Sequence, residues 1–161
     1  KRSGLSNSKP PEPSTFFIDH SLGNKKVAAA LRLVNVHVEV HEDHFPINAK
    51  DEEWILEVGQ QGWIVLTKDD RIRYRLVERE ALVKARVAMS TLTSGNLTGE
   101  EMAQAFIKAL PRIYRFLAKH RPPFIARITK SGDVSMIFSG AKDYGTKPLW
   151  DFIVERSDRC G

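Results

Sequence analysis

The sequence predicts an α/β fold, a mostly parallel central sheet with helices on both faces. Two observations carry the prediction. Between Phe16 and Thr93 the hydrophobic period switches repeatedly between two and about 3.6 residues, in the order β-α-β-α-β-α-β. That order requires crossover connections and a parallel sheet. The second observation is Trp63-Ile64-Val65-Leu66-Thr67, an unbroken apolar and β-branched run that stops at Lys68-Asp69-Asp70. Such a run marks a strand buried on both faces, and ligands of open α/β sheets sit beyond the carboxyl ends of such strands.

Each element has a local reason. Residues 1–14 are rich in Ser, Pro and Lys, with Pro10, Pro11 and Pro13, and are expected to be a disordered tail. Phe16-Phe17-Ile18 is a short strand ending at Asp19. From Lys25 to Val34, the residues Val27, Ala30, Leu31 and Val34 fall at helical spacing. Val36, Val38 and Val40 alternate with His37, Glu39 and His41, the pattern of a strand with one wetter face, which runs out into Glu42-Asp43-His44. Asp51-Glu52-Glu53 opens a helix with Trp54, Ile55 and Val58 on its apolar side, closing at Gly59 to Gly62. Acids in a first turn favour the helix dipole by roughly 0.3–1 kcal/mol each.

After the central strand, Arg71 to Ala85 reads as a helix and Val87 to Thr93 as another strand. Thr98 and Glu101 have capping-box spacing and open a long amphipathic helix through Met102, Phe106, Leu110, Ile113 and Leu117. Pro111 is expected to kink or split it. Phe124 to Thr129 and Val134 to Phe138 flank Ser131-Gly132-Asp133 as a hairpin. This last helix and hairpin are expected to be an appendage to the parallel sheet. The domain is thus placed at residues 15–138, with 139–161 a polar C-terminal tail containing one apolar patch, Leu149 to Val154.

Composition narrows the classes of function. A chain of 161 residues, 42% hydrophobic and 28% charged, fits one globular domain. The formal charge of +5 favours an anionic partner. One cysteine, Cys160, allows no disulfide within this sequence. With no apolar run long enough to span a bilayer and no signal-peptide core, an intracellular, cytoplasmic protein without membrane association is expected. The sequence has no GxxxxGK phosphate loop, no GxGxxG and no GxSxG elbow, so nucleotide-cofactor and serine-hydrolase chemistry are not indicated.

The acids supply a positive indication. Asp19 follows the first strand, Glu42 and Asp43 the second, and Asp69 and Asp70 the third, while Asp51 starts the next helix. In neighbouring parallel strands these acids converge on one sheet edge. Any one of them is explained by capping a turn; their convergence is not. Carboxylates gathered in one cleft repel unless a cation neutralises them, and a hard divalent ion, Mg²⁺ or Mn²⁺, suits oxygen ligands. Charge then reverses at Lys68, Arg71, Arg73 and Arg75, and again along the long helix at Lys108, Arg112, Arg115 and Lys119. A carboxylate pocket rimmed by Lys and Arg suits metal-dependent chemistry on a phosphodiester backbone. Zinc is not expected, because His37 and His41, four residues apart on a strand, would be about 13 Å from each other.

At Phe16-Phe17-Ile18-Asp19, Glu42-Asp43-His44-Phe45-Pro46, Asp51-Glu52-Glu53-Trp54-Ile55 and Leu66-Thr67-Lys68-Asp69, the sequence resembles the PIN-like domains, most closely the branch of VapC-type toxins. The resemblance covers roughly residues 15–138. It implies a three-layer nuclease fold, Mg²⁺ or Mn²⁺ held by acids, RNA as substrate, a cognate antitoxin protein as partner and, as is common among PIN-like proteins, a homodimer. Carried over by position, Asp19, Asp51 and Asp69 are the catalytic and metal-binding acids, with Asp70 beside them. The family's fourth acid, after a later strand, has no counterpart before Glu100, so either Asp43 or Asp70 substitutes or the metal site is thinner than in typical PIN domains. Lys68, Arg71, Arg73, Arg75, Arg112 and Arg115 are the expected RNA contacts. Replacing Asp19 or Asp69 by Asn should then remove cleavage with little loss of stability. The rival from another class is a catalytically inactive PIN-like module that binds RNA or protein. A response-regulator phosphoacceptor is disfavoured, because that type needs its acid pair after the first strand.

Overall fold

The structure is a computed structural model and describes residues 14–140 apart from Asn24 and Tyr74; the side chains of Asp70 and Arg73 also lie outside the described residues. Six strands form one sheet in the order β2-β1-β3-β4-β5-β6, with β1 Thr15–Ile18, β2 His37–Val40, β3 Ile64–Thr67, β4 Ala88–Leu92, β5 Phe124–Ile128 and β6 Val134–Ser139. The first five run parallel, and β6 pairs antiparallel with β5 through the expected hairpin. Four helices connect them: α1 Lys26–Leu33, α2 Asp51–Gln61, α3 Leu76–Ala85 and α4 Gly99–Lys119. The predicted α/β class and the PIN-like three-layer arrangement hold.

Strand alternation divides the core into two layers. Phe16, Ile18, Val38, Leu66 and Phe124 face α1 and α4, where they meet Val27, Leu31, Phe106 and Ile113. Phe17, Val65, Met89 and Ile125 point the other way, onto Trp54, Ile55 and Val58 of α2 and Leu82 of α3. Every residue of β3 is buried, as its unbroken apolar run requires. The registers Phe17↔Val65 and Ile18↔Leu66 bring the carboxyl ends of β1 and β3 level, which sets Asp19 beside the residues that follow Thr67.

Three expectations change. Helix α4 and the hairpin are no appendage: β5 pairs along β4, and Phe106, Ala109 and Ile113 are buried in the larger core layer. Helix α4 also passes unbroken through Pro111, which sits on its exposed face, and the buried residues either side hold the helix on the sheet. The segment from Arg71 to Ala85 is instead a 3-10 turn, Asp70–Arg73, followed by α3 from Leu76. The proposed N-terminal tail, apart from Ser14, and the patch Leu149 to Val154 lie outside the described residues.

Candidate metal and nucleic-acid site

Beyond the carboxyl ends of β1 and β3 lies a cleft of about 480 Å³ lined by Asp19, His20, Ser21, Asp51, Lys68, Asp69, Arg71 and Arg75. The three acids reach it from three elements: Asp19 from the end of β1, Asp51 from the first residue of α2, and Asp69 from the turn after β3.

Asp19 is only 3% exposed and is fixed by hydroxyls rather than by a cation. Its Oδ2 accepts hydrogen bonds from Ser21 Oγ at 2.7 Å and from buried Thr67 Oγ1 at 2.8 Å. Each hydroxyl oxygen in turn accepts a backbone N–H from the next loop, Ser21 from Lys68 at 3.0 Å and Thr67 from Asp69 at 3.0 Å. Two parallel relays, N–H to hydroxyl to carboxylate, therefore tie the loop carrying Asp69 to the Asp19 side chain. Each hydroxyl has one proton and gives it to Oδ2, so that oxygen accepts twice. Asp19 thus has a structural share that sequence reasoning did not assign, so Asp19→Asn is a poor probe of chemistry alone.

Asp51 and Asp69 are arranged around an arginine. Trp54 Nε1 donates to Asp51 Oδ1 at 2.9 Å, fixing the carboxylate one helical turn back. Arg75 donates to Asp51 Oδ2 at 3.2 Å and lies 3.7 Å from Asp69 Oδ2 and 3.8 Å from Glu78. Arg71 donates through its backbone N–H and its Nε to Asp69 Oδ1. Asp51 and Asp69 are each partly exposed, so a cation entering the cleft can reach their oxygens. Their oxygens are the hard donors a divalent ion takes, but among the described residues no group of three donors within 4.8 Å includes Asp51 or Asp69.

Sequence spacing missed the histidines. His41 is not on a strand but in the 3-10 turn after β2, with its ring fully buried beside His20, Phe45 and Trp54. Neither ring nitrogen has a hydrogen-bond partner. Burial, opposed by the charge of Asp19, lowers the His41 pKa from its ordinary value. Among the described residues, one ligand atom each from Asp19, His20 and His41 lies within 4.8 Å of the others. The signals for the supporting residues were Asp-x-Ser at 19–21 and Thr-x-Asp at 67–69, where short hydroxyl side chains bridge neighbouring loops.

Other predicted site residues lie elsewhere. Asp43 is exposed and does not line the cleft, so the acids of the second strand do not converge with the others. Arg112 donates to the Gly132 carbonyl at 3.1 Å and Arg115 is exposed on α4, in the helical layer packed with α1, and neither lines the cleft. The side chains of Asp70 and Arg73 lie outside the described residues.

The family profile described as "PIN like domain" matches residues 14–94, half of the chain. The chain belongs to the PIN-like domain family. The match spans β1 to β4 and so contains every acid of the cleft. Over 126 residues, this PIN-like chain is 27% identical to a proposed ribonuclease, VapC45, of Mycobacterium tuberculosis (strain ATCC 25618 / H37Rv), covering 76% of this chain and 91% of that protein. No solved structure matches it. No helix among the described residues is long and apolar enough to cross a membrane.

Proposed function

We propose that this PIN-like protein is a metal-dependent endoribonuclease that hydrolyses RNA phosphodiester bonds, the toxin of a toxin–antitoxin pair. The observation that carries the reading is the meeting of Asp19, Asp51 and Asp69 in one cleft with Lys68, Arg71 and Arg75 at its rim. Similarity to a protein named as a VapC ribonuclease supports it. Mg²⁺ or Mn²⁺, held through Asp19, Asp51 and Asp69, would supply a bound water of lowered pKa and charge stabilisation at the phosphate. The chain's own part is to place the scissile phosphate. Lys68 and Arg71 hold backbone oxygens on one side, and the relays through Ser21 and Thr67 keep Asp19 and the Asp69 loop at fixed separation. Residues 15–138 form the unit that does this, acting in the cytoplasm on RNA, with a cognate antitoxin and a second copy of the chain as protein partners.

Arg75 gives the second reading its weight. A guanidinium already neutralises Asp51 and Asp69, as an inactive RNA-binding or protein-interaction module would require. The deciding experiment is cleavage of a mixed RNA pool with Mg²⁺, Mn²⁺ or EDTA, using wild type and Asp69→Asn. Cleavage abolished by EDTA and by the substitution is expected. RNA binding without cleavage under either ion would select the inactive module.

A further inference from the structure

We propose that His20 and His41, together with Asp19, form a binding site for an imidazole-seeking divalent transition-metal ion, of the Co²⁺, Ni²⁺ and Zn²⁺ class, in preference to Mg²⁺. The site shares Asp19 with the nuclease cleft, but rests on its own residues and does not require RNA to be the substrate.

Three observations converge on it. One donor atom from each of the three side chains lies within 4.8 Å of the others. His41 is 0% exposed and both its nitrogens lack a hydrogen-bond partner, a costly state for a buried polar ring that a metal bond would relieve. The Asp19 carboxylate that completes the group is itself anchored by Ser21 and Thr67, and His20 Nδ1 already lies 3.2 Å from its Oδ1, the separation of two donors on one ion.

Donor chemistry sets the metal class. Mg²⁺ takes oxygen ligands and dehydrates reluctantly, whereas two imidazoles and a carboxylate favour the later first-row ions. Tetrahedral donors with bonds of about 2.1 Å lie about 3.4 Å apart, so the widest pair, within 4.8 Å, must close by up to about 1.4 Å on loading. His20, 40% exposed, is free to make that movement while His41 stays packed. Three protein donors leave a coordination position open toward the cleft that His20 and Asp19 line.

The test is titration of the metal-free full chain with Co²⁺, read by visible d–d absorption and by calorimetry, alongside Mg²⁺ and without RNA. Wild type is expected to give a Co²⁺ spectrum and to bind Co²⁺ at least about 100-fold more tightly than Mg²⁺. His20→Ala, a surface change, and His41→Phe, which preserves an apolar ring, should each weaken Co²⁺ binding by more than the roughly 10-fold that loss of even an outer-shell partner costs. His37→Ala, exposed on β2, should leave it unchanged. An unaltered spectrum and affinity in His20→Ala would overturn the assignment even if His41→Phe failed to fold, as would equal affinity for Mg²⁺ in wild type. A wild type that gives the Co²⁺ spectrum but cleaves no RNA in the separate cleavage assay would overturn the nuclease reading and leave this assignment standing.

Discussion

Thr67 is where stability and site geometry meet, and Thr67→Val tests both. The substitution keeps the shape of a fully buried side chain but removes its hydroxyl. It deletes the 2.8 Å bond to the Asp19 carboxylate, and hydrogen bonds to charged groups contribute about 1.5–3 kcal/mol. It also strands the Asp69 N–H, whose acceptor at 3.0 Å was the same oxygen, at a further cost of about 1–3 kcal/mol if water cannot reach it. Asp69 is part-exposed, so the lower end applies to that second loss, and the valine methyl recovers part of the total. A net destabilisation of about 2–4 kcal/mol results. In a chain of this size that corresponds to a melting temperature lowered by roughly 5–15 °C. Thr67→Ser, which keeps the hydroxyl and loses one methyl, should cost only about 1 kcal/mol. The assay is urea denaturation of wild type and both variants in EDTA at pH 7.5. If the valine protein proves as stable as the serine protein, the relay through Thr67 does not hold the site together.

Other residues give further predictions. Arg75→Met removes the cation between Asp51 and Asp69 and should tighten Mn²⁺ binding by about 1 kcal/mol, roughly fivefold, measured by calorimetry; weaker binding would show that Arg75 supports the ion rather than competing with it. Because the folded-state pKa of His41 lies below its unfolded value of 6.5, the unfolded chain takes up the proton first as pH falls. The metal-free protein should hold its His41 contribution above pH 6.5 and lose it as pH drops through that value toward the folded pKa, and urea midpoints from pH 8 to pH 5 should show this slope reduced in His41→Phe. Gly59→Ala would push a methyl into the Ala85 side chain where α2 crosses α3, costing about 1–3 kcal/mol by denaturation.

The fold was legible because its signals are local. Alternation in Val36-Val38-Val40, the unbroken run Ile64 to Thr67, and the Thr98–Glu101 box each specify an element through its own period or cap, and all three form as expected. Pro111 misled because its cost is local while the burial of Phe106, Leu110 and Ile113 that outweighs it is tertiary. That Asp19, Asp51 and Asp69 share one cleft was readable from their positions after strands and at a helix start. Their surroundings were not. Nothing in sequence separation relates Ser21 to Lys68, 47 residues away, or predicts that His41 leaves the strand register and turns inward to His20. Extrapolating the strand by one residue put His41 on one ladder with His37 and hid its contact with His20.

The electrostatics of the cleft follow from the division of its three acids into two kinds. Asp19 is buried, and its carboxylate is held by the Ser21 and Thr67 hydroxyls, whose own oxygens accept backbone N–H groups, and by the His20 ring; among the described residues no lysine or arginine pairs with it. Asp51 and Asp69 are partly exposed, and their charge is met by Arg71 and Arg75, side chains themselves 71% and 36% exposed. An entering cation thus finds one fixed anchor and two releasable ones. A phosphate approaching the same cleft offers Arg71 and Arg75 an alternative anion, so a polyanionic ligand that draws them off exposes the two carboxylates to the metal. Metal and polyanion should therefore bind with positive coupling, visible as tighter Mn²⁺ binding in the presence of a non-cleavable oligonucleotide, and the coupling should shrink in Arg75→Met, where no guanidinium remains to be released from Asp51.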